Sequence, residues 1–467
     1  MVQHVNRFAM DRFDRIVLVV LLSLGVATAL ILWRGDQVGL QVQEVSPEPG
    51  AADVSTRTEI QVVFGQPPER RSVASRFRIS PETPGTLSWQ GNRLIWRPLV
   101  GLVAQRSYTA TLTAGAESVQ GRSLKRDLIW DFATRQPQVL YISIGDVAQL
   151  YAVSRDGSTV RRLTALDDGS SLFDFEPSPD GSLIAFSLVR PDGSGVDLWS
   201  MRDDGSEARL LLTCDNEQCS GMSWSPNGRR LAYERRALNA ELGSVGVGLG
   251  PSRIWLLELG SGQTAPLHAD TQELGFSPRW SPDGSRLGYF DPNGGVRIVE
   301  LQSGDSRLIP NQLGEMGSWS PDGAALVLVD LTFAGESYTG YLIRADLEEG
   351  KTRRITGEQN TVGEGSPAWS PDGKWLAFGR KASGDGTPTP GQQLWLMRPD
   401  GSEARPLATD ADAHLGSYAW SPDGREIAYL RFPLMQAYAR PEIWLITVDT
   451  GEQLKLAENG TLPNWLP

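Results

Sequence analysis

Trp224-Ser-Pro-Asn-Gly228 recurs as Trp280-Ser-Pro-Asp-Gly284, Trp319-Ser-Pro-Asp-Gly323, Trp369-Ser-Pro-Asp-Gly373 and Trp420-Ser-Pro-Asp-Gly424. A degenerate copy, Pro177-Ser-Pro-Asp-Gly181, precedes them, and the closing glycines lie 47, 56, 39, 50 and 51 residues apart. Self-similarity near this period, in strand-rich sequence, specifies a β-propeller. The chemistry of the pentapeptide is local. Proline presets one turn residue, aspartate bonds its own backbone, and glycine accepts the positive φ that closes the hairpin. The tryptophan, at a fixed offset, is placed to pack between neighbouring blades. Asp180, Asp283, Asp322, Asp372 and Asp423 also invite a reading as a carboxylate ring. Asp-Gly is what such a turn demands in any case, so they are read as turn builders.

After each pentapeptide comes an apolar strand, then a strand such as Ile254-Trp-Leu256 or Leu394-Trp-Leu396, then a Gly-bearing turn and a last short strand. Seven first-hairpin strands are readable, beginning at Val139, Leu183, Leu231, Leu287, Ala325, Leu376 and Ile427. The first has no Trp-containing strand before it. Leu462-Pro-Asn-Trp465 looks like that missing strand, and Trp465 follows Trp420 by 45 residues, in period. Seven blades are therefore expected, the final residues completing the first and protecting its sheet edge.

Residues 43–136 read differently. Ile60, Val62 and Phe64 share a face, as do Leu94 and Trp96, then Tyr108, Ala110 and Leu112, then Trp130 and Phe132. Pro/Gly/Asn clusters punctuate them about every ten residues, the pattern of a small sandwich. The carrying residues are Val45-Ser-Pro47, Ile60-Gln-Val-Val-Phe64, Phe77-Arg-Ile-Ser-Pro81, Trp89, Tyr108-Thr-Ala-Thr-Leu112 and Trp130-Asp-Phe132. On these the segment resembles the bacterial Ig-like domain of S-layer and surface proteins, which implies a spacer or adhesion module.

Residues 16–33 carry no charge, and three arginines, Arg7, Arg12 and Arg15, precede them. Eighteen residues at about 1.5 Å rise span about 27 Å, enough for a membrane helix. The arginine bias puts residues 1–15 in the cytoplasm and everything after Trp33 outside, beginning with a short linker, residues 34–42. A cleaved signal peptide ending at Ala27-Thr-Ala29 is the competing reading. The apolar run continues past that site, which favours a retained anchor. The expected chain is thus all-β: a seven-bladed propeller over residues 137–467, an Ig-like sandwich before it, and one N-terminal transmembrane helix at the cell membrane.

The repeats resemble the WD-repeat-like propeller of the TolB family of extracytoplasmic proteins, on the Trp-Ser-Pro-Asp-Gly plus Ile-Ala-Phe/Tyr pattern over roughly residues 138–467. The resemblance implies the fold and an envelope setting, and does not select a chemistry.

A formal charge of −12 argues against a nucleic-acid footprint. Histidine, the commonest general base, occurs three times, as His4, His268 and His414, far apart. No Gly-x-Ser-x-Gly elbow is present. No metal or cofactor is expected. Cys214 and Cys219, the sole cysteines, are read as a local disulfide outside the cytoplasm or as two free thiols. The expectation is a binding or scaffolding protein and not an enzyme. The alternatives are a glycan- or peptide-active hydrolase, or a ligand-sensor subunit. Four connections after the first-hairpin strand are long: 234–252, 330–340, 379–393 and 430–441. Equivalent connections emerge on one rim, and insertions gathered there mark a binding face. The expected contacts to a protein or cell-envelope partner are Arg235, Arg236, Phe333, Tyr338, Arg380, Lys381, Arg431, Phe432, Met435 and Tyr438, since aromatics and arginines are favoured at interfaces.

Overall fold

The computed structural model describes residues 12–36, 39–166, 169–238, 250–270, 272–334, 337–356, 362–382 and 389–467. Among them the helices are Arg12–Asp36 and Arg70–Arg76, and the rest of the regular structure is strand. The chain divides into two compact units. One comprises residues 1–51, 59–97 and 107–133, and the other comprises residues 52–58, 98–106 and 134–467.

No helix among the described residues is long and apolar enough to cross a membrane. The expected span, residues 16–33, is helical, but the side chains of 30–33 lie outside the described residues. The described apolar stretch, 16–29, covers about 21 Å at 1.5 Å per residue.

The Ig-like part has two four-stranded antiparallel sheets. One runs Val42–Ser46, Ile60–Phe64, Arg93–Pro98, Gly85–Gln90; the other runs Ala51–Val54, Leu128–Thr134, Ser107–Leu112, Phe77–Ser80. Alternation decides which side chains face inward. Ile60, Val62, Phe64, Leu94, Trp96, Tyr108, Leu112, Trp130 and Phe132 are all buried, as their spacing predicts.

In the second unit each repeat has an inner strand followed by three more outward. Gly460–Leu466 pairs Gln138–Ser143, with Trp465 opposite Val139, so the chain's last strand joins the first repeat. An eight-stranded sheet follows, in which Val196–Arg202 touches Glu217–Trp224 through a single parallel pair, Val196 with Gln218. Four-stranded sheets then start at Phe276–Trp280, Ser318–Trp319, Val362–Trp369 and Ala413–Trp420. Buried apolar clusters fill each seam in turn, from Leu140, Phe175 and Phe186 round to Ala428, Ile443, Val139 and Trp465, where the last repeat meets the first. The sheets therefore close a circle around an axis.

The pentapeptide tryptophans bolt these seams. Trp224 Nε1 donates to the Glu176 carbonyl at 2.9 Å, Trp280 to Ser223 at 3.2 Å and Trp319 to Arg279 at 3.3 Å. Trp420 donates to Ala368 at 3.0 Å and Trp465 to Ala419 at 2.9 Å. Each indole thus spans to the inner strand of the preceding repeat. Trp369 is the exception, with no acceptor for its N–H. The turn aspartates stay inside their own turns: in all five, Oδ1 accepts a Ser hydroxyl and the backbone N–H two residues on. The glycines that close these turns have φ between 67° and 74°.

Candidate functional site

The rim is organised differently from the sequence expectation. The stretch 330–340, read as a loop, is a continued hairpin: Ala325–Ala334 and Ser337–Asp346 pair without a break out to Ala334 opposite Ser337. Phe333 and Tyr338 face one another near its tip, ring centroids 6.5 Å apart and side chains 60 % and 67 % exposed. In the 430–441 connection the strand Glu426–Pro433 runs on before the turn. Met435 and Tyr438 there are 72 % and 99 % exposed, whereas Phe432 is half-buried. Of the other two long connections, residues 239–249 and 383–388 lie outside the described residues.

The arginines expected to meet a partner are spent inside the fold. Arg235 is paired with Glu217 and lies 4.5 Å over the Trp255 ring. Arg236 is paired with Glu234 and lies 5.1 Å over Phe276. Arg380 donates to Glu364 at 2.9 Å through Nε and sits 4.3 Å over Trp395. Arg431 holds Asp410 at 2.7 Å and Glu442 at 2.9 Å. Arg235, Arg380 and Arg431 sit two residues beyond the aromatic of their strand and fold back over the tryptophan of the next, and Arg236 lies over Phe276, so stem and guanidinium pack while an acid neutralises the charge. Lys381 is exposed; its charge, after burial, helps hold the His414 imidazolium below its ordinary range.

His414 accepts the Gln392 N–H at Nδ1, and His268 meets the Tyr289 hydroxyl at 3.0 Å in a different repeat. Among the described residues no group of three or more His, Cys, Asp or Glu side chains is placed to hold a metal. Cys214 and Cys219 are joined as a disulfide, both fully buried in the seam beside Leu198, Met222 and Trp224.

A second site lies on the axis. The residue just before each pentapeptide tryptophan or its counterpart sits at one level of the inner strands: Asn464, Glu176, Ser223, Arg279, Ser318, Ala368 and Ala419. Glu176 reaches across repeats. Its Oε2 accepts Asn464 Nδ2 at 3.4 Å, and the Arg279 charge acts on it from two repeats away. Burial pushes the Glu176 carboxyl up to about 7; Arg279 opposes this and Asp174 adds to it. Asp174, two residues earlier on the same strand face, is also raised by burial, although the Ser187 hydroxyl and the Gly221 N–H donate to it. The Gly221 contact is 2.5 Å long and depends on a bulge where Gly221 has φ +63°. Ser277, Ser366, Ser417 and Leu462 repeat this left-handed bulge at φ 52–53°. A non-glycine residue there is uncommon, and such bulges let the crowded inner strands bend at the axis.

Sequence reasoning passed over Asp174, Glu176 and Arg279. For Glu176 and Arg279 the signal existed as one column of the repeats, the position before the tryptophan or its counterpart; Asp174 lies two residues earlier. Only closure of the circle makes that column face itself.

Residues 260–415 match the TolB beta propeller domain, and residues 36–134 match the bacterial Ig-like domain. The chain thus contains a propeller domain and a sandwich domain. It carries a TolB-type β-propeller domain together with a bacterial Ig-like domain. Among curated relatives it is 25 % identical over 194 residues to the uncharacterized peptidase YuxL of Bacillus subtilis (strain 168), across 33 % of this chain and 28 % of the peptidase. The chain therefore spans under a third of that relative's length. It is 26 % identical over 269 residues to the uncharacterized protein Atu1656 of Agrobacterium fabrum, across 52 % of this chain and 80 % of that one. Among solved structures, a prolyl endopeptidase is similar with a TM-score of 0.50 at 14 % identity, over 84 % of this chain and 52 % of that one. TolB from Acinetobacter baumannii is similar with a TM-score of 0.42 at 12 % identity, over 92 % of this chain and 100 % of that one. The structural likenesses speak to the fold alone.

The expectation that the chain is not an enzyme is corrected by these relatives, which include a peptidase. The exclusion rested on sparse histidines and a missing nucleophile elbow. Neither ground weighed the buried setting of Asp174 and Glu176, whose carboxyls are raised by burial.

Proposed function

We propose that this chain is a recognition protein of the cell envelope whose seven-bladed propeller binds a protein partner at the rim bearing the Phe333–Tyr338 hairpin and the 434–438 loop. The observation that carries this is the exposure of Phe333, Tyr338, Met435 and Tyr438 on equivalent connections of the fifth and seventh blades. Side chains of this size left in water on one face suit an interface core. Counting the eight-stranded sheet as two blades joined at one bridge supports the blade number. Location at the membrane is supported by Ile16, Leu21 and Leu22, each over 60 % exposed on an apolar helix. With the arginines neutralised, recognition rests on apolar contact, and salt has little effect on it. The test is partner capture from native envelope by the soluble part and by a Phe333→Ser, Tyr338→Ser, Met435→Ser, Tyr438→Ser variant. Capture that survives all four changes, with melting unchanged, would refute the reading.

A second reading, hydrolysis of a peptide or glycan, is favoured by Asp174 and Glu176. They lie side by side on one strand, and the Glu176 carboxyl is held at about 7, the range a general acid needs. The relationship to YuxL points to peptides. Turnover by the wild type that Glu176→Gln and Asp174→Asn abolish would establish it. Turnover that persists in both variants would remove it.

A further inference from the structure

The Ig-like part differs from the propeller in its charge and in how that charge is used. Residues 43–136 carry 12 basic against 9 acidic side chains, while residues 137–467 carry 28 against 44. The basic excess gathers at one end of the sandwich. The entering chain is fixed there: Leu40 donates its N–H to the Ser123 carbonyl at 3.2 Å, and Gln66 Nε2 donates to Gly39 at 2.9 Å. The helix Arg70–Arg76 joins the same end, where the Glu69 N–H donates to Glu117 at 2.8 Å. Residues 39–41, 66–76 and 113–127 thus form one surface. It carries Arg70, Arg71, Arg76, Arg122, Lys125 and Arg126 against Glu69, Glu117 and Asp127.

Among the described residues none of these six cations forms an ion pair, unlike the rim arginines, each of which has its own acid. Arg70 lies 5.8 Å from the Trp89 ring and Arg76 donates to the Ser72 carbonyl at 3.1 Å, while Arg71, Lys125 and Arg126 are exposed. Two of the nearby acids are spent on backbone: Glu69 accepts the Arg71 and Ser72 N–H groups, and Asp127 accepts the Ala114 N–H at 2.7 Å. Lys125 and Arg126 line an open groove of about 310 Å³ together with Gly39, Leu40, Val42 and Asp127. Val119, in the turn closed by the Gly121 N–H on the Ser118 carbonyl, is 70 % exposed beside Arg122. An apolar tip among unmatched cations suits an anionic headgroup layer. Position agrees. The helix Arg12–Asp36 ends three residues before Gly39, a reach of at most about 11 Å. Surface charge is felt over about 10 Å at 0.1 M salt.

We propose that this end of the Ig-like part docks on anionic lipid of the membrane that the helix enters, with Arg71, Arg122, Lys125 and Arg126 meeting headgroup phosphates and Val119 entering the interface. The inference rests on the membrane location proposed above. A surface tethered this closely meets the headgroups at high effective concentration, so weak individual contacts add up. Contact at several points also fixes the tilt of the sandwich on the membrane.

The test uses the whole chain with Gln120→Cys, labelled there with a fluorophore; Cys214 and Cys219 are bonded to each other and buried, and do not compete for the label. The chain is reconstituted in vesicles of phosphatidylcholine alone, or with a quarter of phosphatidylglycerol, each containing a lipid with a quencher on its headgroup. Flotation with the neutral vesicles reads the anchor, and quenching reads the docked end. Quenching at least threefold stronger in the anionic vesicles, and lost in 1 M salt, where screening falls to about 3 Å, is the expected result. Arg71→Gln, Arg122→Gln, Lys125→Gln and Arg126→Gln together return quenching to the neutral level and leave flotation unchanged. Equal quenching in the two lipids overturns the proposal and leaves the anchor standing. Absence of flotation overturns the membrane location, and the proposal with it. Anionic quenching that persists in the fourfold variant overturns the proposal, as does salt-sensitive pairing of copies without quenching, which would assign the basic end to the acidic propeller of a second copy. The lipid comparison on the labelled chain decides the matter even where the fourfold variant folds poorly.

Discussion

Replacing Arg431 by methionine separates a structural arginine from a docking one. The side chain of Arg431 is 19 % exposed, and its partners Asp410 and Glu442 are 29 % and 18 % exposed. Glu442 also accepts the Trp444 indole at 2.9 Å, and Lys455 stands 3.6 Å from its other oxygen. Removing one member of a fully buried pair costs about 3–5 kcal/mol, because the other charge stays behind unmatched. Partial exposure reduces that figure, Lys455 still serves Glu442, and methionine keeps the packing of the stem, which leaves an expected loss of roughly 2–3 kcal/mol. The loss has a pH signature. Burial raises the Asp410 carboxyl, but the Arg431 hydrogen bond, the Asp412 N–H and the Arg431 charge outweigh it and hold the group below its ordinary value. A carboxylate depressed in the fold adds stability above its unfolded pKa, about 4, that is lost as pH falls through the lower folded value. The gap between wild type and variant is therefore full at pH 7, still full at pH 5, and shrinks below about pH 4. Urea unfolding followed by tryptophan fluorescence measures it, with midpoints compared at unchanged slope. A difference within about 0.5 kcal/mol at pH 7, the size of an ordinary surface change, would show that Arg431 does not hold the fold, and would return it to the rim as a candidate contact.

Trp420→Phe is expected to cost about 1–2 kcal/mol because the Ala368 carbonyl loses its donor, while Trp369→Phe, which removes an N–H with no acceptor, costs less. Equal shifts in melting would refute the role given to the indole bonds. Glu176, whose carboxyl is raised to about 7, favours the fold in its neutral form, so its contribution is full below pH 4.5 and is lost as pH rises through 7. Glu176→Gln therefore flattens stability between pH 5 and 8, and an unchanged pH profile would refute the buried setting. Truncation before Gly460 removes the inner strand that pairs Gln138–Ser143, and is expected to abolish the cooperative melting of the propeller; a wild-type transition in the truncated chain would count against closure by the last strand.

The sandwich was legible because burial in it follows a two-residue period that any strand must obey. The turns were legible because Ser-Pro-Asp-Gly meets its own hydrogen bonds within five residues. The rim was only half legible. Sequence position put Arg235, Arg236, Arg380 and Arg431 on the right connections, but it carries no information about Glu217 and Glu364 on the neighbouring strands or Asp410 in the turn before one, nor about Glu234 turning back to Arg236 on its own strand. Those acids and the tryptophans beneath decide whether an arginine is offered or spent.

By itself the sequence determined the repeat, its turns and the seams, since these depend on contacts within one period or on a tryptophan at constant offset. Tertiary structure alone decided the axis. Asn464 and Glu176 are 288 residues apart and are hydrogen-bonded because the last strand returns to the first sheet; Arg279, two repeats from Glu176, acts on that carboxyl through its charge. Electrostatic environment depends on distance in space, and closing a circle brings together one residue from each turn of a repeat that the chain keeps far apart.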